Sequence, residues 1–307
     1  MNVSKEITIV LKAFLPLVIV LHHLAFKTDI LQFSWLMRIG PSIVSLFFFM
    51  SGYGLFYSLR YKPNYLNDFA TKRLSSLLIP YIISIIIYQG LSFFIDKKLP
   101  INDLFIFLDG DTNCILPASW YVIVFFILYC LFWVCFITKN IISKQIILFF
   151  ISGLILIFLF KIINFPAYWY ISIGAFFIGT LYSMSEWLHK KHVSIIYTMI
   201  YFTVIIICYM INSLITRMVL YALIPLLIIK ILNITKVYSL YKSNIIFFLS
   251  KISYEIYLSH VIIYRLLRND GLYIKSDYMF IILCFIFTII LSYIIMLLTN
   301  KIKAIWS

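Results

Sequence analysis

The chain has 307 residues, of which 64% are apolar and only 12% charged, against roughly 25% charged in an ordinary soluble domain. So few polar side chains cannot cover a water-facing surface, whereas lipid solvates Ile, Leu and Phe directly, so the composition predicts an integral membrane protein. The net charge of +14 is scattered over short loops and lines no single face, which fits positively charged loops on one side of a membrane and argues against a nucleic-acid partner.

In chain order, apolar stretches occur at 7–26, 39–59, 74–95, 119–138, 145–163, 168–185, 194–214, 217–232, 245–267 and 279–299. They predict an all-α, polytopic transmembrane helix bundle of about ten spans, with residues 1–307 forming a single membrane-embedded domain. Spans of about 20 residues each leave too little chain for a soluble domain. The stretches 168–185 and 217–232 are short and read as tilted or re-entrant. Nothing resembling a small-residue cleavage site follows Leu24-Ala25-Phe26, so the first stretch reads as a span, not a signal peptide. Cys114, Cys130, Cys135, Cys208 and Cys284 show no metal-binding spacing; four of them sit in apolar runs and read as small hydrophobes, and no metal site is expected.

With the N-terminus inside, the inner segments carry fifteen Lys and Arg against nine on the outer ones, leaving aside Lys12 within the first span. Both termini are therefore expected to be cytoplasmic. The outer acids Asp96, Asp103, Asp109 and Asp111 fit this arrangement.

An ionisable residue inside a span is costly and is a functional hypothesis by default. Lys12 and His23, eleven residues apart, share one face of the first span, about 16 Å apart along its axis. Lys12 reads either as a snorkelling side chain or as an anion contact. His23 reads either as an interhelical hydrogen-bonding residue or as a reactive one. His22 points about 100° away, towards a neighbour or the headgroups. In the ninth stretch His260 falls at a depth similar to His23, and Glu255 reads as a buried partner for a lysine such as Lys12. Ser51-Gly52-Tyr53-Gly54 removes side-chain bulk in the second span, for helix packing or for a ligand against the backbone. Arg60, Lys62, Lys72 and Arg73 make the next loop basic, as an anion site or as inner-side bias. Trp120 and Tyr121 open the fourth span, where such residues are ordinary interface anchors.

In this order the segments resemble the acyltransferase-3 family of bacterial membrane acyltransferases. Lys12-x10-His23 keeps the spacing of its Arg-x10-His, with Lys in place of Arg. Phe47-Phe48-Phe49-Met50-Ser51-Gly52-Tyr53 is similar to its Phe-Phe-x-x-Ser-Gly-Phe. Lys72-Arg73-Leu74 through Pro80-Tyr81 resembles its basic-Leu-x-x-x-x-Pro-Tyr, Trp120-Tyr121-Val122 its Trp-Phe-Leu, and Ser253-Tyr254-Glu255-Ile256-Tyr257-Leu258-Ser259-His260 its Ser-Tyr-x-x-Tyr-Leu-x-His. The matches run from residue 12 to residue 260.

The resemblance implies transfer of an acyl group, usually acetyl, from acyl-coenzyme A to a hydroxyl of a cell-surface or lipid-linked carbohydrate, in a bacterial cytoplasmic membrane. The 307 residues contain no hydrolase-like segment such as some longer relatives carry, so the membrane domain or a separate partner is expected to complete the acceptor step. Such chemistry needs a base for the hydroxyl and a donor for the developing oxyanion. The catalytic candidates are His23, as base or transient acyl carrier, and His260 beside it. Lys12, Lys72 and Arg73 are expected to hold the anionic coenzyme. Ser51, Gly52, Trp120, Ser253, Tyr254, Glu255 and Tyr257 are expected to shape the binding cavity. The competing class is a transporter or flippase of a lipid-linked saccharide, which would also keep polar groups near the midplane. The internal repeat that such a protein is expected to carry is not visible in the sequence.

Overall fold

The computed structural model describes residues 3–96, 116–137, 142–184, 191–235, 237–268 and 272–306. Asp103, Asp109, Asp111 and Cys114 lie outside the described residues, as do the loop lysines Lys97, Lys98, Lys139, Lys190 and Lys236 and the side chains of Asp96 and Lys191. Twelve α-helices are described: α1 (Lys5–Leu24), α2 (Ser34–Arg38), α3 (Gly40–Tyr61), α4 (Ser75–Asp96), α5 (Trp120–Ile137), α6 (Ile142–Ile162), α7 (Gly174–Met184), α8 (Lys191–Ile211), α9 (Leu214–Ile234), α10 (Asn244–Lys251), α11 (Ser253–Leu267) and α12 (Asp277–Trp306). Among the described residues there is no strand. Every backbone N–H and C=O in a bilayer must find its partner within the protein, and the helix does this within one segment.

The chain is an all-α, multi-pass helix bundle. Among the described residues seven helices are long and apolar enough to cross a membrane, and α10 with α11 makes an eighth if that bent pair is one span. The expected number of about ten is thus only approximate, for identifiable reasons. The stretch at 168–185 spends its first residues on a 3-10 turn, Ala167–Trp169, and the turns after it, leaving the 11-residue α7. In α8 the apolar part that is described is Phe202–Ile211. The stretch at 245–267 breaks at Ile252, where α10 and α11 meet at 72°. Neither Pro nor Gly sits at this break. Ser250 Oγ donates to the Phe247 carbonyl at 2.7 Å, a local bond of the kind that bends helices.

The chain forms two compact units, and each is described by itself. The first comprises Met1–Val10, Pro41–Lys72 and Val124–Ser243. Its interior is rich in Phe, with Phe48, Phe49, Phe69, Phe132, Phe149 and Phe176 fully buried. Here α3 and α7 approach backbone to backbone. A Cβ on Gly52 would collide with the Phe176 carbonyl, and one on Gly179 with the Phe49 carbonyl. Small residues are what allow membrane helices to pack this closely. Ser51, beside Gly52, shares a 2.7 Å hydrogen bond with the Tyr129 hydroxyl of α5.

The second unit comprises Leu11–Gly40, Arg73–Ile123 and Asn244–Ser307. In it α11 packs on both α4 and α12. Its core joins Ala13, Val20 and Leu24 of α1 to Ile256, Ile263, Tyr264 and Leu267 of α11 and Phe280 and Cys284 of α12. Ser259 of α11 and Ser292 of α12 share a buried hydrogen bond of 2.8 Å. At one end of the unit Arg268 closes a clasp over three segments. Its guanidinium donates to the carbonyls of Ile274 and Lys27 and pairs with Asp277, while lying 4.0 Å from the centre of the Phe280 ring. Asp277 accepts the Asp29 N–H at 2.8 Å.

Gly52 and Gly54 make opposite predictions from neighbouring positions. Gly52→Ala forces α3 and α7 apart and should cost about 1–3 kcal/mol, the usual range for overpacking. Gly54 has nothing within 4 Å of an added Cβ, so Gly54→Ala should be neutral or stabilising by up to about 1 kcal/mol. Thermal unfolding of the two variants in detergent measures the contrast.

Candidate active site

The second unit brings His23 and His260 together. Their ring centres lie 5.0 Å apart with an interplanar angle of 28°, a stacked arrangement. His23 reaches the pair from the last turn of α1 and is half-buried. His260 comes from α11 and is fully buried. Its Nδ1 lies 2.6 Å from the Tyr257 carbonyl. A carbonyl oxygen only accepts, so Nδ1 carries the hydrogen, and a neutral ring then keeps a lone pair on Nε2. That Nε2 is buried and has no hydrogen-bond partner among the described residues. A buried nitrogen of this kind is uncommon and calls for an explanation, of which a chemical role is one.

Two tyrosines frame His260. Tyr257 and Tyr264 occupy the same stripe of α11 as the histidine, at the three- and four-residue spacing that aligns side chains on one helical face. The Tyr264 ring meets His260 edge-on at 5.3 Å, and its hydroxyl donates to the Val20 carbonyl of α1 at 2.7 Å. Val20 lies one turn before His23, so this bond fixes α1 against α11 next to the imidazole pair. Tyr257 lies 5.8 Å from His260, packs on Tyr121 at 4.8 Å and donates to the Ala118 carbonyl. Ala118 holds a left-handed backbone, φ 62°, a conformation uncommon for a residue with a Cβ. The turn that carries it leads directly into Trp120, the half-buried first residue of α5.

His22 has a different task. Its Nδ1 donates to the Leu36 carbonyl of α2 at 2.8 Å, and its Nε2 would lie 2.5 Å from a Cβ placed on Gly40. The ring fastens the α1–α2 connection and needs a glycine to make room for it. It also lies 5.0 Å from His23.

Charged groups gather nearer the other end of α1. Lys12 is exposed and lies within electrostatic reach of Arg73 and Glu255. Glu255 is buried in the first turn of α11, where a carboxylate also complements the helix dipole. It is within reach of Lys303 of α12 as well as of Lys12. Ser253 is buried beside it, and Tyr254 donates its hydroxyl hydrogen to the Leu77 carbonyl of α4 at 2.9 Å.

Ser51, Gly52 and Lys72 belong to the first unit. Gly52 accommodates the approach of α7, and Ser51 bonds to Tyr129. Lys72 is exposed and pairs with Asp68 one turn earlier at 2.7 Å, a surface pair worth under about 1 kcal/mol. Sequence reasoning missed Tyr264 and Lys303. Tyr264 was detectable, since it continues the stripe of Tyr257 and His260. Lys303 gave no signal beyond a basic residue at the end of an apolar run.

The arrangement supplies an imidazole pair on one side and a cationic cluster on the other, with about 16 Å of helix between Lys12 and His23. An unprotonated ring nitrogen can take a proton or attack a carbonyl carbon, and the cations attract phosphate. The sequence model of the acyltransferase-3 family, described as an acyltransferase domain, matches residues 9–297. No curated protein and no solved structure matches the chain.

Two variants test the scaffold around the rings. Gly40→Ala pushes a methyl group against the His22 ring and should destabilise the protein by about 1–3 kcal/mol. Tyr264→Phe keeps the ring against His260 and removes only the bond to α1, at about 0.5–1.5 kcal/mol. Melting temperatures in detergent should rank wild type above Tyr264→Phe, and Tyr264→Phe above Gly40→Ala.

Proposed function

This chain belongs to the acyltransferase-3 family and is a multi-pass membrane acyltransferase; from that premise we propose that it transfers an acetyl group from acetyl-coenzyme A to a hydroxyl of a cell-surface or lipid-linked carbohydrate. The observation that supports this reading most directly is the stacked pair of His23 and His260, with an unpartnered ring nitrogen held in the protein interior. The membrane is the bacterial cytoplasmic membrane and both termini face the cytoplasm, as the excess of Lys and Arg on the inner segments suggests. Lys12 then faces the side from which the coenzyme arrives, and the histidines lie in the outer half.

The proposed chemistry is a single displacement at the thioester carbonyl. His23, the more accessible of the two rings, takes the proton from the acceptor hydroxyl. The hydroxyl oxygen bonds to the carbonyl carbon, the carbon–sulfur bond breaks, and the coenzyme leaves as its thiolate, which recovers a proton. His260 lies against His23 and limits the positions its ring can adopt. Lys12 and Arg73 hold the phosphates of the donor. Lys12 does so as a point charge, where the planar fork of an arginine would bind two oxygens at once. Ser253, Tyr254 and Tyr257 form part of the wall, and Glu255 balances the lysine charge.

General-base catalysis contributes about 10²–10⁴-fold. His23→Ala should therefore lower carbohydrate O-acetylation at least about 100-fold, at normal levels of protein in the membrane, and His260→Ala, which frees the His23 ring, should lower it by less. The assay follows radiolabelled acetyl-coenzyme A into the glycan, with free coenzyme released only when glycan is present. Undiminished acetylation by His23→Ala would remove the base from the reading. Saccharide crossing liposomes with no acetylation would replace the enzyme by a transporter.

A further inference from the structure

Lys303 sits in the last turn of α12, beyond residues 9–297 that the family model matches. Its ammonium nevertheless turns back into the second unit and donates to Ser76 Oγ at 3.0 Å. Ser76 is three residues from Arg73 and next to Leu77, whose carbonyl receives the Tyr254 hydroxyl. Two hydrogen bonds at adjacent positions of α4 thus bring the end of α12 and the start of α11 to the segment that carries Arg73. Lys12 of α1 lies within electrostatic reach of Arg73 and Glu255, and Glu255 within reach of Lys303. Lys12 and Lys303 thus share one buried carboxylate, and Arg73 lies within reach of Lys12, so the cluster of three cations and one acid has an excess of positive charge.

An ammonium is a compact point charge, and one alone neutralises little of a ligand that carries several phosphates. A diphosphate bearing a further phosphate, as in coenzyme A, is bound best by several cations at different points around it. We infer that Lys303 is a donor-binding residue, which joins Lys12 and Arg73 in holding the phosphate groups of the acyl donor. The inference rests on the coenzyme A reading above and extends it to a residue that the family match does not cover. Ser76 holds the Lys303 ammonium at the cluster before the donor arrives, which lowers the entropy lost when the complex forms.

Phosphate chemistry is shared by anionic lipid headgroups, so the test separates the two sources. Purified wild-type protein, Lys303→Gln and Lys303→Arg are placed in nanodiscs of phosphatidylcholine alone and of phosphatidylcholine with phosphatidylglycerol, and the Kd of coenzyme A is measured by calorimetry. Loss of one charged contact should weaken coenzyme A binding by Lys303→Gln at least about tenfold in both discs, with Lys303→Arg within about threefold of wild type. Equal affinities for wild type and Lys303→Gln overturn the inference while leaving the coenzyme A reading intact. An equal loss in both variants marks a structural role and also overturns it. A loss confined to phosphatidylglycerol discs assigns Lys303 to lipid and overturns it as well. If wild type itself fails to bind coenzyme A, the donor reading fails, and this inference with it.

Discussion

Hydrocarbon offers a buried polar group no water, and the second unit is organised by that constraint. Helix α11 carries Ser253, Glu255, Tyr257, Ser259, His260 and Tyr264, all buried, within fifteen residues. Three of these six are hydrogen-bonded to a neighbour on another segment: Tyr257 to Ala118, Ser259 to Ser292, Tyr264 to Val20. Each such bond is worth only about 1 kcal/mol net, but leaving its partner unmatched in lipid costs more. The bonds therefore fix register and rotation of α11 as much as they add stability. His260 inherits that fixed position. Its Nε2 is a buried nitrogen on the same face that no described residue satisfies.

The two units meet the same constraint by different means. In the first, hydroxyls are fewer at the crossing, and the close fit of α3 with α7 rests on glycine and on dispersion among phenylalanines. Thr180 adds a long bond of 3.5 Å to the Gly52 carbonyl. Packing of this type tolerates little change in side-chain volume. In the second unit the polar stripe of α11 sets the geometry, and apolar residues fill the space around it.

Bundle class and most spans were legible in the sequence because hydropathy reports directly on transfer into lipid. The shared face of Lys12 and His23 was legible because helical rise and twist are fixed. The break at Ile252 was not, since hydropathy scores a serine by its residue type and not by the backbone carbonyl that its hydroxyl reaches. The reduction of 168–185 to a short helix was hidden for a related reason: apolar residues in a turn score as well as those in a span. Tyr264 shows a different blindness. A tyrosine in an apolar run reads as packing, and only the carbonyl it reaches on a distant segment marks it as part of the site. Lys303 is the same case with a charge. Which of several basic ends folds back over a neighbouring helix depends on tertiary contacts that spacing along one chain does not encode.

The clasp of Arg268 has a mechanical consequence. Its guanidinium joins the backbone after α1 to the segment before α12 and to the first residue of α12 itself. Hydrogen bonds from one rigid, planar group to three places leave those places little freedom to drift apart. The rim on the histidine side of this unit is thus assembled when the protein folds, and a molecule arriving there does not have to order it. Adaptation to guests of different shape then falls to side chains and to other parts of the molecule, so this edge behaves as a frame rather than as a door.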